Sequence, residues 1–198
     1  MAQSPAPISA SDGGDGAEAS ETWIGPIAIP DTPEGRSPAG AVLSLEPVTA
    51  TNYHETLGLS VHPEQERFVS SNAVSIADCY IYPGTNPRLA REGSTPVGFT
   101  LVHLHAYGPD GTVRFFIERF MIDRAHQRRG LGQALLRLIA DWAARFEPVP
   151  ASIALGCVAD NAAAKTLYRS VGFSETGDVR YGEDVMARPL HLPTESAR

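Results

Sequence analysis

One short segment, Gln127-Arg128-Arg129-Gly130-Leu131-Gly132, carries residue types that can hold a phosphate group. It stands between an apolar run of strand length and a stretch with strong helical periodicity. Glycine lets the backbone approach a ligand closely, and the first N–H groups of a helix have no intrahelical partner and lie at its positive end. The two arginines add cationic side chains that reach phosphate oxygens. The segment therefore predicts an anion site suited to a pyrophosphate.

Two common nucleotide-binding patterns do not fit this segment. A P-loop needs Lys and then Ser or Thr directly after its last glycine, but Gly132 is followed by Gln133 and Ala134. A dinucleotide-binding fold needs a third glycine where this chain has Leu135. Taken alone, the Gly-x-Gly spacing also fits a plain turn into a helix with no ligand.

A second motif lies downstream, and together the two resemble a known family. Residues 161–173 read Asn-x-x-Ala-x-x-Leu-Tyr-x-x-x-Gly-Phe. A long apolar strand, the segment at 127–132 and this motif, in that order, are similar to the GNAT superfamily of acetyl-CoA-dependent N-acetyltransferases. The resemblance implies an α/β (α+β) fold, namely a mixed, mostly antiparallel sheet with splayed central strands, flanked by helices.

The resemblance extends to a narrower group, the bacterial spermine/spermidine (diamine) acetyltransferases. It covers about residues 43–188. The matching stretches are 46–49, 52–53, 59–61, 65, 68–69, 72, 75–77, 97–99 and 119–123. This likeness implies acetyl transfer to a primary amine by direct attack in a ternary complex, with a polyamine such as spermidine as the leading acceptor. An aminoglycoside-like antibiotic, a protein amine, or a non-catalytic module that only binds CoA remain as alternatives.

The resemblance also implies where acetyl-CoA binds. The pantetheine arm would lie between residues 120–122 and residues 154–156, with a β-bulge near 118–120 opening the gap. The backbone N–H near residue 121 would polarise the thioester carbonyl. The expected coenzyme contacts are Phe120, Met121, Ile122, Gln127, Arg128, Arg129, Gly130, Leu131, Gly132, Gln133 and Asn161. Asn161 alone also fits a helix N-cap.

Two residues are candidates for proton transfer. Tyr168 matches the family's proton donor to the departing thiolate, although its helical spacing from Ala164 equally suits a core aromatic residue. The substrate amine needs a base, because at a pKa of about 10.4 roughly one molecule in 10³ is neutral at pH 7. Glu118 is the best candidate for this base, and a solvated strand residue is the alternative.

Further carboxylates are candidates for holding the substrate's remaining ammonium groups. Glu64 and Glu183 are the first choices, followed by Glu66 and Asp184, and each can also be a plain surface residue. His103 and His105 share a strand face without a third ligand, so we expect exposed residues and no metal site. Cys79 and Cys157 are far apart, which argues against a disulfide and for structural thiols.

The sequence also predicts the helices and strands that position these residues. Helices are expected at 51–59, behind Pro63 and onward through Ala77, at 130–146, and after a cap at Asp160 or Asn161. Strands are expected at 42–45, 88–92, 97–105, 112–123, 152–158, 174–178 and 183–189. A turn is predicted at 108–111.

Composition sets the outer limits. The net charge is −7, which argues against a nucleic-acid binder. No run of about 18 apolar residues or targeting signal is present, so we expect no membrane span and a cytoplasmic location. Residues 1–40 hold six Pro, six Gly and six acidic residues and predict a disordered tail. The predicted acetyltransferase domain spans 41–190, followed by a short tail at 191–198. The resemblance is also compatible with a homodimer.

Overall fold

The computed structural model describes residues 28–107 and 112–190. Residues 1–27 and 191–198 of the predicted tails, and the predicted turn at 108–111, lie outside the described residues. The strands are β1 Gly35–Arg36, β2 Val42–Pro47, β3 Thr85–Glu92, β4 Thr95–Tyr107, β5 Thr112–Ile122, β6 Ser152–Cys157, β7 Ser174–Arg180 and β8 Glu183–Pro189. The helices are α1 Tyr53–Gly58, α2 Asn72–Ile81, α3 Leu131–Ala143 and α4 Ala162–Ser170, with 3₁₀ turns at Pro63–Gln65 and Arg124–His126.

The eight strands of the described residues form one sheet in the order β1-β2-β3-β4-β5-β6-β8-β7. Every neighbouring pair is antiparallel except β5 and β6, which run parallel. The chain returns from β5 to β6 through α3, as a parallel pair requires a crossover. The predicted mixed, mostly antiparallel sheet with flanking helices is confirmed.

The main core lies between the sheet and α3. The apolar side of this helix carries Leu131, Leu135, Ile139 and Trp142, all of which are fully buried. Trp142 packs edge-on against Phe115 of β5, with 5.5 Å between ring centroids. Each such side chain contributes about 1.5–3 kcal/mol by burial. This packing anchors the helix whose N-terminus carries the predicted phosphate segment.

A smaller apolar cluster is separate from the main core. It consists of Phe99, Leu101 and Met121, with partly buried residues of the region before α2 and of α2 itself packed against it. Because side chains alternate across a strand, β4 and β5 present residues to both sides of the sheet. The second cluster holds the α1–α2 region next to the central strands.

The predicted continuous helix behind Pro63 is wrong. The chain makes a 3₁₀ turn over Pro63–Gln65, and α2 begins only at Asn72. The Ser71 hydroxyl accepts a hydrogen bond from the N–H of Val74, 3.3 Å away, so the serine caps a new helix. The irregular residues 66–71 between the 3₁₀ turn and α2 line a cavity.

Residues 28–40, which were assigned to the predicted tail, lie against the domain. They contain β1, which pairs with β2. The indole N–H of the fully buried Trp142 donates to the carbonyl of Pro30 at 2.9 Å, and the Thr32 hydroxyl donates to the carbonyl of Leu45. A buried indole N–H needs an acceptor, so this contact ties the segment to α3.

Candidate active site

The central strands separate after a short paired stretch. β5 and β6 pair only over residues 115–117 and 153–155, with Ile117 opposite Leu155. Beyond that point, residues 118–122 of β5 have no partner on the β6 side among the described residues. We predicted residues 154–156 opposite 120–122, but Ala154 pairs with Phe116 instead. The gap therefore lies further along, between 118–122 and the end of β6.

A β-bulge at Glu118 accompanies this separation. Leu101 of β4 pairs with Arg119 and Val102 pairs with Ile117, which leaves Glu118 as the extra residue on β5. A bulge bends its strand and re-aims the side chain. The bulge predicted near 118–120 is thus confirmed, and it lies where the parallel pairing stops.

A cavity of about 720 Å³ opens at the gap. That volume lies within the range of about 300–1,000 Å³ seen for small-molecule sites. Its walls include these residues from the set predicted from the sequence: Glu66, Glu118, Phe120, Met121, Asn161, Tyr168 and Glu183. Residues of the irregular segment before α2 also line it. Ile122, residues 127–133, and Glu64 do not line it.

Tyr168 is both a core residue and a cavity residue. Its side chain is 8% exposed and packs against Phe120 and Phe173, with ring centroids 6.5 and 6.1 Å away. Burial raises its pKa well above the ordinary value, and the nearby Cys157 and Glu183 act in the same direction. The hydroxyl is therefore protonated at neutral pH, and the residue lines the cavity.

Glu118 is buried rather than solvated. Its side chain is 7% exposed, and Oε1 lies 3.3 Å from Nδ1 of His103 and 3.6 Å from Nη1 of Arg180. His103 is 3% exposed, so the expectation of an exposed histidine there is wrong. The bulge turns the carboxylate toward these partners, which the alternation of strand residues alone would not reveal.

Glu183 brings a second carboxylate to the cavity. It begins β8, and its Oε2 lies over the Cα of Gly156, where a β-carbon would clash. Burial raises the pKa of Glu183 and the charge of Glu118 adds to this, while Arg119 opposes it. Two carboxylates thus face one cavity with different environments, an arrangement typical of acid–base sites.

The remaining acidic candidates differ in position. Glu64 is exposed on the first 3₁₀ turn and lies outside the cavity wall. Asp184 is paired with Lys165, with Oδ2 2.6 Å from Nζ. Glu66 borders the cavity but is exposed. Glu183 is the candidate that the fold places deepest beside the gap.

The backbone at the start of α3 is arranged to bind an anion. Arg128 and Gly130 have positive φ angles of 60° and 77°. The N–H groups of Gly130, Leu131, Gly132 and Gln133 donate no hydrogen bond to any described residue. Free amides at the positive end of a long helix form a phosphate cradle.

The side chains of the same segment have other partners. Gln127 donates to the carbonyl of Ile122 at 3.0 Å and exchanges amide hydrogen bonds with Gln65. Arg129 pairs with Glu92 at 2.7 Å. Leu131 is buried, and Gln133 donates to the hydroxyl of Ser170 at 3.1 Å. Gln127 and Leu131 therefore hold the loop in place.

Gln65 was missed as a contributor to this loop. Its contact with Gln127 bridges 62 positions of the chain, and no local pattern signals such a pairing. Arg128 is exposed and keeps the position expected of a phosphate contact. Gly132 serves packing, because a β-carbon there would lie 3.2 Å from the Leu167 side chain of α4.

Asn161 and Cys157 stand at the far end of the gap. The Asn161 side chain accepts the N–H of Ala164 at 3.1 Å and so caps α4, while the residue also lines the cavity. Burial raises the pKa of Cys157 to about 11. Its thiol is protonated at neutral pH and is a weak nucleophile.

Among residues 28–107 and 112–190, no group of three or more His, Cys, Asp or Glu side chains is placed to hold a metal ion. Within the same ranges, no helix has the length and apolar character needed to cross a membrane.

Comparison with known proteins gives one family. The family model described as "Acetyltransferase (GNAT) family" matches residues 76–173. A spermine/spermidine N(1)-acetyltransferase of Bacillus subtilis (strain 168) is 30% identical over 154 residues, which are 75% of this chain and 99% of that protein. An N-alpha-acetyltransferase, RimI, of Mycobacterium tuberculosis is 35% identical over 88 residues, covering 44% of this chain and 51% of that protein.

The fold also has solved counterparts. The aminoglycoside acetyltransferase AAC(6')-Ib in complex with coenzyme A superposes with a TM-score of 0.59 at 16% identity. The match covers 74% of this chain and 94% of that structure. At this identity the likeness shows a shared fold.

Proposed function

Since the chain belongs to the acetyltransferase (GNAT) family, we propose that it transfers the acetyl group of acetyl-CoA to a primary amine of a polyamine such as spermidine. The observation that carries the proposal is a single cavity at the β5/β6 gap that brings together Tyr168, Glu118 and Glu183. These residues supply a proton donor and two carboxylates where the strands part.

Acetyl-CoA supplies the acetyl group as a thioester, and the residues present fit this coenzyme. Residues 118–122 of β5 lack a strand partner along the gap, so their backbone groups can bind the amides of the pantetheine arm. The four free N–H groups at 130–133 suit the pyrophosphate. In this proposal Phe120 and Met121 line the arm, and Arg128 contacts the phosphates.

The acceptor amine must lose a proton before it can attack. At a pKa of about 10.4, supplying the neutral amine at pH 7 costs about 4–5 kcal/mol. A carboxylate beside the gap can take this proton, directly or through one water. Glu118 fills that role in our proposal because the bulge holds it at the point of strand separation.

The leaving thiolate needs a proton in turn. The Tyr168 hydroxyl is protonated at neutral pH and faces the same cavity, so it fills this role in our proposal. The raised pKa of Cys157 argues against a thiol that carries the acetyl group. The protonated Cys157 thiol therefore supports direct attack by the amine in a ternary complex.

The acceptor assignment rests on charge and on the extent of similarity. A polyamine has further ammonium groups after one amine is neutralised, and Glu183 with Glu66 can hold them. The similarity to the spermine/spermidine enzyme spans 99% of that protein, whereas the similarity to the N-alpha-acetyltransferase spans 51%. The first therefore includes the acceptor side of the fold.

The proposal is tested by thiol release from acetyl-CoA against a panel of amines. Spermidine, spermine, an aminoglycoside and peptides with a free N-terminus are compared at equal concentration. Saturation by a polyamine at low millimolar concentration or below supports the proposal. Preference for another amine would show that the proposed acceptor is wrong, while acetyl transfer to an amine would still stand. Binding of CoA with no thiol release from any amine would favour a binding module instead.

A further inference from the structure

We propose that His103 and Glu118 form a proton-sharing pair, in which His103 positions Glu118 and shares the proton that Glu118 takes from the substrate amine. The role of Glu118 as the base rests on the proposed function. The pairing itself rests on the geometry of the free protein. His103 lies behind the carboxylate and not among the residues that line the cavity, so it is a positioning residue.

We assign the proton of the neutral His103 ring to Nε2. Nε2 lies 2.9 Å from the carbonyl oxygen of Pro83. A carbonyl oxygen only accepts hydrogen bonds, so in our proposal Nε2 carries the hydrogen. In the neutral ring Nδ1 is then an acceptor, and it faces Oε1 of Glu118 at 3.3 Å.

This tautomer makes the pair depend on one proton. With a proton between Nδ1 and Oε1, the two groups form a hydrogen bond, whether the proton belongs to the ring or to the carboxyl. Without it, a nitrogen lone pair faces a carboxylate oxygen in a buried site, which is unfavourable. Taking up a proton restores the hydrogen bond between the two groups. A carboxylate without the histidine would gain no such bond, so the pair is the stronger base.

The ring is held in this orientation. His103 is 3% exposed, and Gly84 packs against its face. A β-carbon at Gly84 would lie 2.6 Å from the carbonyl oxygen of Leu104 and 3.3 and 3.4 Å from Cδ2 and Nε2 of His103, and the φ of Gly84 is +87°. Glycine is therefore the residue that lets the backbone after Pro83 reach the ring.

Charged groups from three neighbouring strands bear on the pair. Arg180 of β7 lies 3.6 Å from the Glu118 carboxylate. Glu183 of β8 and Arg119 of β5 lie close by, and Arg119 also approaches Asp78 of α2 at 3.7 Å. Arg180 therefore places a positive charge beside the carboxylate of the pair.

The protons balance over the reaction. An ammonium group gives one proton to Glu118, and the proton is shared with Nδ1 of His103. The amine nitrogen then bonds to the acetyl carbon as the carbon–sulfur bond breaks. Tyr168 gives its hydroxyl proton to sulfur and regains one from the new amide nitrogen. The proton on the pair finally leaves to solvent, so one proton is released per acetylation.

The test is the pH profile of kcat/KM for His103→Asn, beside the wild type. The Asn amide can still donate to Glu118 but cannot take up a proton. We expect the acid limb to move to lower pH by roughly one unit and the plateau to fall about tenfold or more. His54→Asn, an exposed histidine in α1, is the matched control and should keep the wild-type profile. An acid limb at the wild-type pH in a folded His103→Asn protein overturns the proposal.

A second measurement does not depend on activity. Nitrogen-15 NMR of the imidazole between about pH 5 and 9 reports which ring nitrogen is protonated. We expect Nε2 to carry a hydrogen at every pH and Nδ1 to gain or lose its proton as the pH changes. In Glu118→Gln the pH at which Nδ1 does so should differ from that in the wild type. A neutral ring protonated on Nδ1 refutes the pair. If no amine is acetylated, the proposed function fails, while the spectrum still decides whether the pair exists.

Discussion

Pro38 packs onto Gly130, so closely that a β-carbon at position 130 would lie 2.9 Å from Cγ of the proline. The φ of Gly130 is +77°, in the left-handed region that favours glycine. The N-terminal segment at 28–40 thus lies directly against the phosphate cradle of α3. Substitution of this glycine must shift either the segment or the cradle.

We expect Gly130→Ala to weaken CoA binding about tenfold or more. The new β-carbon forces the free N–H groups at 130–133 out of position, and the positive φ adds about 1 kcal/mol of strain. Isothermal titration with CoA measures the effect. Gly177→Ala is the control, because Gly177 has a φ of +89° with open space around it and lies outside the cradle. Unchanged affinity in Gly130→Ala would remove the cradle from the binding site.

Glu183→Gln tests the acceptor side of the cavity. We expect the KM for spermidine to rise about tenfold, because the variant loses a charge-assisted contact with an ammonium group. The KM for acetyl-CoA should stay within about twofold of the wild type. Glu147→Gln, an exposed residue after α3, is the control. A larger effect from Glu64→Gln than from Glu183→Gln would move the acceptor site to the first 3₁₀ turn.

The pH dependence of the same KM follows from the pKa of Glu183. Burial raises that pKa, and the carboxylate must be ionised to hold an ammonium group. As the pH falls, Glu183 therefore takes up its proton at a higher pH than an ordinary glutamic acid does. The KM for spermidine should rise in that pH range. In Glu183→Gln this rise should be absent. A wild-type KM that stays flat down to about pH 4.3 would contradict the assignment.

Tyr168→Phe separates catalysis from packing. The ring contacts with Phe120 and Phe173 remain in the variant, so stability and CoA affinity should change little. Loss of the hydroxyl removes the proton for the leaving thiolate, and we expect kcat to fall about 10²-fold. Tyr80→Phe, at a side chain on α2 that is almost fully exposed, serves as the control. Wild-type turnover in Tyr168→Phe would show that Tyr168 only packs in the core and is not the proton donor.

Local patterns in the sequence predicted much of this arrangement. Hydrophobic periodicity located α3, and the cap and glycine at its two ends located α4, where Asn161 accepts the N–H of Ala164 and Gly172 has a φ of +92°. Alternating and apolar runs located the strands of the sheet from β2 to β8, but not β1. The bulge at Glu118 followed from a family resemblance rather than from any local propensity.

The features that were missed depend on contacts between distant segments. Burial of His103 results from Glu118 and Pro83, which lie 15 and 20 positions away. Residues 28–40 are held by contacts with residues up to 112 positions away, such as the bond from Trp142 to Pro30. The predicted helix is interrupted before α2 because Ser71 caps a new helix there. The helical spacing of the apolar residues on both sides of Ser71 had favoured one continuous helix.

The thiol of Cys157 lies on the wall of the cavity at the gap. Burial raises the pKa of Cys157 to about 11, so at pH 7 only about one thiol in 10⁴ is ionised. A nucleophile so rarely ionised cannot carry the acetyl group efficiently, and the amine must attack the thioester itself. Cys157→Ala should therefore keep turnover within a few fold, and rapid quench with mass spectrometry should find no acetylated enzyme before product forms. An acetyl adduct on Cys157, or loss of turnover in a folded Cys157→Ala protein, would instead establish a two-step reaction through the cysteine.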